Sequence, residues 1–166
     1  MRCFFLGICM LTGVVSCVHQ DLKSKDIQPG DRIPAFQIVM EDDSSLSSKE
    51  LSGSPALLLF FHTSCPDCQR TIPVVQAVYE EFGKEARFVA ISRAQEARDI
   101  RSWWDAHGIT LPFSAQQDSK IYNLFASSRI PRVYVIDRNG VIQAAYDDNP
   151  CPSYGDLAQD FHKIFQ

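Results

Sequence analysis

The chain has 166 residues, enough for one domain with a real hydrophobic core. Sixteen basic and 20 acidic side chains give a net charge of −4, and the basic residues form no cluster, which argues against nucleic acid as a partner. The first elements along the chain concern export and anchoring.

Residues 1–16 read as an export signal. Arg2 supplies the charge, and Phe4 to Val15 form an apolar run too short to span a bilayer comfortably. The run ends in Val14-Val15-Ser16-Cys17, which resembles a bacterial lipobox: aliphatic and small residues, then the cysteine that is lipidated. A plain secretory signal with an incidental cysteine is the alternative. On the lipoprotein reading Cys3 and Cys9 leave with the signal and Cys17 is acylated. Each buried CH₂ then contributes about 0.8 kcal/mol, so three acyl chains anchor stably. Residues 17–28 are the lipidated cysteine and a polar tether without periodicity, in which His19 is solvated.

The domain is expected over residues 29–166. Phe36, Ile38 and Met40 alternate with Gln37 and Val39 as an edge strand. Glu41 to Ser45 read as a solvated turn rather than a cation site, and Ser47 to Leu51 lead on to Gly53. Ala56-Leu57-Leu58-Leu59-Phe60-Phe61 is a short apolar run after Gly53-Ser54-Pro55, the pattern of a buried strand. Gln69 to Phe82 carries Ile72, Val75, Val78, Tyr79 and Phe82 at helical spacing and stops at Gly83. Between strand and helix stands Cys65-Pro66-Asp67-Cys68.

Ala86 to Ile91 predicts the next parallel strand. Glu96 to His107 predicts a helix stopped by Gly108, with Trp103 and Trp104 split between core and edge. Asp118-Ser119 is read as the cap of a helix over Lys120 to Phe125, burying Ile121, Leu124 and Phe125. Arg132 to Asp137 and Val141 to Tyr146 predict two strands joined by an Asn139-Gly140 hairpin turn. Ser153 to Phe165 is the closing helix. The alternation gives an α/β domain with a mixed sheet.

Two cysteines where a core strand turns into a helix have a specific chemistry. A helix N-terminus presents unpaired N–H groups and the positive end of the backbone dipole, so an anionic sulfur there is stabilised. Cys65, nearer the helix start, is the expected nucleophile. Cys68, one turn inside, is the expected resolving thiol, because a mixed disulfide with no resolver is trapped. The competing readings are a fixed disulfide or half of a zinc site. A zinc site needs two more ligands at matching spacing, and no second Cys-x-x-Cys or His-x₃-His occurs. Cys151, between Pro150 and Pro152, is the odd thiol and is expected to be free.

The stretch Leu57–Cys68 resembles the active-site segment of the thioredoxin superfamily, and most closely the TlpA/ResA-like thiol-disulfide oxidoreductases of bacterial envelopes. Pro73, five residues after Cys68, matches the family's helix-kinking proline. Ile130-Pro131 before Arg132–Asp137 matches its cis-proline and next strand. Pro34 and Phe36 resemble the opening of TlpA-like and peroxiredoxin-like domains. The resemblance covers roughly residues 28–166. It implies a single-domain thioredoxin-like fold, a central mixed sheet flanked by helices. It also implies a cis Pro131 packed near the cysteines and, with Pro66 and Ile130, a substrate-binding surface on which the Ile130 backbone pairs with a peptide.

The departures are specific. Where thioredoxins carry a buried Asp six residues before the first cysteine stands Leu59, and Ser64 replaces a common Trp. Some ResA-like proteins place a Glu after the following strand, for which Glu96 or Gln95 is the nearest match. Asp67 should oppose, and a protonated His62 favour, a nearby thiolate, so His62, Asp67 and Glu96 are candidate modulators. The expected function is periplasm-facing disulfide exchange with envelope proteins or cytochrome-maturation apoproteins. It needs no cofactor, draws electrons from a membrane thiol carrier, and is carried out by a monomer held to the membrane by its lipid. A peroxiredoxin-like peroxidase is the first rival, although His62 stands where that family's loop has Thr. A copper-binding module using the two cysteines with His107 or His162 is the second.

Overall fold

The structure is a computed structural model and describes residues 26–166. The signal peptide, Cys17 and most of the tether lie outside the described residues. A five-stranded mixed sheet is ordered β5-β4-β3-β6-β7, comprising β3 (Ala56–Phe61), β4 (Arg87–Ser92), β5 (Phe113–Ser114), β6 (Arg132–Ile136) and β7 (Ile142–Tyr146). β3, β4 and β5 run parallel, whereas β6 is antiparallel to both β3 and β7. β3 is central and every residue of it is buried, which is why it reads as a continuous apolar run.

Alternate residues of β3 serve two cores. Leu57, Leu59 and Phe61 pack with α1 (Pro66–Phe82), α2 (Ala97–His107) and α3 (Tyr154–Phe165). Leu58 and Phe60 face Phe36, Ile38, Leu46, Tyr122, Phe125 and Tyr134. Phe82, Phe88 and Phe161 stack with centroids 5.2–5.4 Å apart and join α1, β4 and α3. A capping box at Ser153 starts α3: Ser153 Oγ accepts from the Asp156 N–H, and the Asp156 carboxylate accepts from the Ser153 N–H.

Several local details add to or differ from expectation. Asp26 and Ile27, expected in the tether, contact the domain: the Ile27 N–H donates to the Phe125 carbonyl at 2.8 Å and Asp26 pairs with Arg132. β1 (Gln37–Val39) pairs with β2 (Ser45–Ser47) in a separate two-stranded sheet instead of edging the main one. The acidic turn between them is tied to α2 by the Glu41–Arg101 pair. β5 was not foreseen, being only two residues long. The helix expected over 120–125 is a 3-10 turn at Tyr122–Leu124. It buries Tyr122 and Phe125 and exposes Leu124, because the tighter turn rotates its side chains away from α-helical spacing. The tryptophans do split: Trp104 is buried against Phe61, and Trp103 is half-buried and stacked on His107.

Candidate active site

Cys65 is the N-cap of α1, with extended backbone at φ −82° and ψ 119°. Pro66 follows at the first helical position, where its fixed φ suits the helix and its missing N–H costs no bond. The Cys65 carbonyl accepts from the Gln69 N–H at 2.9 Å and opens the helix. Its side chain makes no capping bond, which leaves the sulfur available. The half-exposed thiol instead donates to the Ile130 carbonyl, 3.5 Å away. Pro66 itself is exposed beside it.

Cys68 lies one turn on and is completely buried in the same apolar cluster as Leu57, Leu59, Ile72 and Val133. Burial pushes its thiol well above the ordinary value. The backbone at His62 works against this, while the hydrogen bond to Cys65 and the charges of Cys65 and Asp67 add to it. Leu59 contributes to that apolar wall, so the position where thioredoxins keep a carboxylate only deepens the desolvation. Cys65, Cys68 and Cys151 are all free thiols.

The loop before Cys65 is held at one residue. The Thr63 N–H donates to Gln95 Oε1 at 2.9 Å, Gln95 Nε2 donates to Thr63 Oγ1, and Gln69 Nε2 donates to the Thr63 carbonyl at 2.7 Å. Thr63 and Gln95 are both buried. Gln95 is aimed there by Ala94, whose left-handed backbone (φ 57°) turns the chain after β4. Of the two residues expected to match the family's Glu, Gln95 reaches the cysteine loop. Glu96 does not: it is exposed at the N-cap of α2, and its side chain has no hydrogen bond or ion pair among the described residues. Thr63 carried no motif signal of its own.

His62 turns onto its own loop. Its Nδ1 accepts the Ser64 N–H at 3.1 Å and lies 2.8 Å from Ser64 Oγ, which puts the ring proton of the neutral imidazole on Nε2. The Asp67 carboxylate is taken by Arg70 on the next turn of the helix. On the far side of Cys65, the Ile130–Pro131 bond is cis and Pro131 is buried. Asn149–Pro150 is a second cis bond, unforeseen. His107 Nδ1 lies 2.8 Å from the Trp103 carbonyl, and His162 packs edge-on against Phe82. Among the described residues no group of three or more His, Cys, Asp or Glu side chains is arranged to hold a metal ion. No described helix is long and apolar enough to cross a membrane.

A thioredoxin-like sheet with a half-exposed cysteine at a helix start and a buried partner one turn inside can form, hold and pass on a disulfide. The chain is a thiol-disulfide oxidoreductase of the thioredoxin-like class. It belongs to the AhpC/TSA family, whose sequence profile matches residues 29–145, and within it the chain is TlpA/ResA-like. It is 26% identical over 141 residues to the thiol-disulfide oxidoreductase ResA of Oceanobacillus iheyensis, covering 81% of this chain and 73% of that one. Its fold matches the thioredoxin domain of a thiol-disulfide oxidoreductase from Bacteroides vulgatus with a TM-score of 0.73 at 17% identity, covering 85% of this chain and all of that one. The peroxidoxin BcpB of Mycobacterium tuberculosis matches with a TM-score of 0.67 at 16% identity, over 83% and 96% of the two chains.

Proposed function

We propose that Cys65 and Cys68 form the redox couple and that the protein exchanges disulfides with envelope proteins from a lipid anchor at Cys17, on the periplasmic side. In the reducing direction the Cys65 thiolate attacks one sulfur of a substrate disulfide. The substrate S–S bond breaks, a mixed disulfide forms, and the departing substrate sulfur takes up a proton. Cys68 then gives up its proton and attacks the Cys65 sulfur. The mixed disulfide breaks, the second substrate thiol leaves, and Cys65–Cys68 is oxidised by two electrons. The reverse sequence oxidises a substrate dithiol. Cytochrome-maturation apoproteins are one substrate class, and a membrane thiol carrier would restore the dithiol. No step calls for a bound cofactor.

The observation that carries this reading is the asymmetry of the pair: Cys65 is half-exposed with no capping bond, and Cys68 is fully buried one turn inside the helix. The backbone of Ile130, beside Cys65, is the expected strand for a substrate peptide, flanked by Pro66 and Pro131.

The test is a redox titration of residues 18–166 carrying Cys151→Ser. A reversible two-electron couple is expected. A potential near about −270 mV, like thioredoxin, indicates a reductant, and one near about −120 mV, like DsbA, an oxidant. Absence of a reversible couple together with co-purifying copper would sink the exchange reading. The likeness to a peroxidoxin supports peroxidase activity as a second reading; Cys65-dependent consumption of hydrogen peroxide at a rate exceeding disulfide exchange would favour it.

A further inference from the structure

The segment that carries Ile130 is gripped at both ends by one residue more than 100 positions away. Asp26 Oδ1 accepts from the Ser127 N–H and the Ser127 hydroxyl, both at 2.9 Å. Its Oδ2 accepts from Arg132 Nη2 at 2.6 Å. Arg132 Nη2 also donates to the Ser128 carbonyl at 2.8 Å, and Nη1 lies 3.8 Å from Asp147. Ser127 and Ser128 open the segment and Arg132 closes it, with Arg129, Ile130 and Pro131 between them.

Two further observations give this grip a purpose. Arg132 is buried, and its Nε has no hydrogen-bond partner among the described residues, so the guanidinium depends on Asp26 for its short charged bond. Arg129 sits in the left-handed region at φ 69°, a conformation a non-glycine residue keeps only when its surroundings impose it. The Tyr122 hydroxyl, donating to the Arg129 carbonyl at 2.6 Å, and the Arg129–Asp148 ion pair at 3.3 Å restrain it directly, and the Asp26–Ser127–Arg132 bonds hold the segment on either side.

We propose that Asp26 is a positioning residue for disulfide exchange. Through Ser127 and Arg132 it sets the 127–131 segment, and with it the Ile130 backbone that faces Cys65. Asp26 is thereby coupled to the substrate-facing loop. Asp26 touches neither cysteine and acts only through that loop. The inference rests on the exchange reading, with Ile130 as the substrate-pairing strand.

The test compares two disulfides on the full chain: insulin, a protein disulfide that must lie along the loop, and 5,5′-dithiobis(2-nitrobenzoate), a small one that need not. Asp26→Ala should lower kcat/KM for insulin about tenfold, mostly through KM, and change the rate with the small disulfide by less than about twofold. Asp26→Glu should restore most of the loss. Asp26→Asn keeps the side-chain size and one acceptor for Ser127 but loses the charge facing Arg132. It should lose about threefold on insulin with the fold intact, which keeps the test open if the alanine variant fails to fold. Equal losses on both substrates, or none on insulin in the Asn variant, would overturn the proposal. Cys65→Ser distinguishes the two levels: if it retains insulin exchange, the site itself is misassigned, whatever Asp26 does.

Discussion

The Cys65 thiol and the Ile130 carbonyl, 65 residues apart in the chain, face each other across 3.5 Å. That contact joins the start of α1 to the segment before β6, and both are carried by central strands: Leu59 and Val133 are register partners in β3 and β6. The proposed nucleophile and the surface proposed to hold its substrate are therefore positioned by the sheet.

Replacing Cys68 by Ser should leave Cys65 able to attack but remove the resolving thiol. Mixed disulfides should then accumulate in cells and be visible on non-reducing gels as adducts cleared by dithiothreitol. Cys65→Ser should show none. A Cys68→Ser protein with no Cys65-dependent adduct would count against exchange.

The buried Cys68 makes the reduced protein sensitive to alkali. Its folded-state thiol titrates above the unfolded one, because burial disfavours the anion. Below the unfolded thiol value of about 8.5 the group is protonated in both states and contributes nothing to pH dependence. Above it the unfolded chain loses the proton first, so stability falls as pH rises, by up to about 1.4 kcal/mol per pH unit. The disulfide form lacks this group. Urea unfolding at pH 7 to 10 should show the reduced form losing stability faster than the oxidised form. Tyr134, pushed upward by burial, and the half-buried Tyr146, pushed upward by desolvation and its hydrogen bond to Asp160, act equally on both forms.

Gln95 should matter for rate more than for fold. Gln95→Leu leaves the buried Thr63 N–H and hydroxyl without partners, a cost of about 1–3 kcal/mol. The Cys65 loop should loosen and exchange slow about tenfold, with retention of the helical circular dichroism spectrum. Gln95→Glu, which can accept from both Thr63 groups, should recover much of that rate. Equal rates in parent and Gln95→Leu would remove Gln95 from the site.

Asp26 predicts the opposite limb of the pH profile. Burial opposes its charge, but the Ser127 bonds and the Arg132 guanidinium outweigh burial and hold its carboxyl below the usual range. Its contribution is present above the unfolded value of about 3.9 and disappears as pH falls through the lower folded value. Acid unfolding followed by fluorescence should be less steep below about pH 4 in Asp26→Asn than in the parent.

Phe161 is a control for the scaffold. It is fully buried and stacks on Phe82 and Phe88, so Phe161→Ala should cost about 3–5 kcal/mol in chemical denaturation. The Cys65–Cys68 potential of the surviving folded protein should be unchanged.

The sequence by itself determined the parts whose signals are local. Ala56–Phe61 is a central strand because six apolar residues in a row must be buried on both faces. Cys65-Pro66 marks a helix start because proline's fixed φ and missing N–H suit the first helical position, and Asn139-Gly140 marks a hairpin because Gly140 supplies the positive φ of 75°. The cysteine pair at a strand-to-helix junction was legible for the same reason, as was its resemblance to a redox motif. Tertiary structure alone decided what depends on distance through space. Glu96 and Gln95 are neighbours in the chain, yet only Gln95 points to Thr63, because Ala94 reverses the backbone between β4 and α2. The burial that separates Cys68 from Cys65 is imposed by Leu57, Ile72 and Val133, which belong to three elements. Asp26 looked like part of a polar tether, since no periodicity marks a single carboxylate whose partners, Ser127 and Arg132, lie more than 100 residues on. Such a contact follows from the completed sheet and its loops, and leaves no pattern in the residues around it.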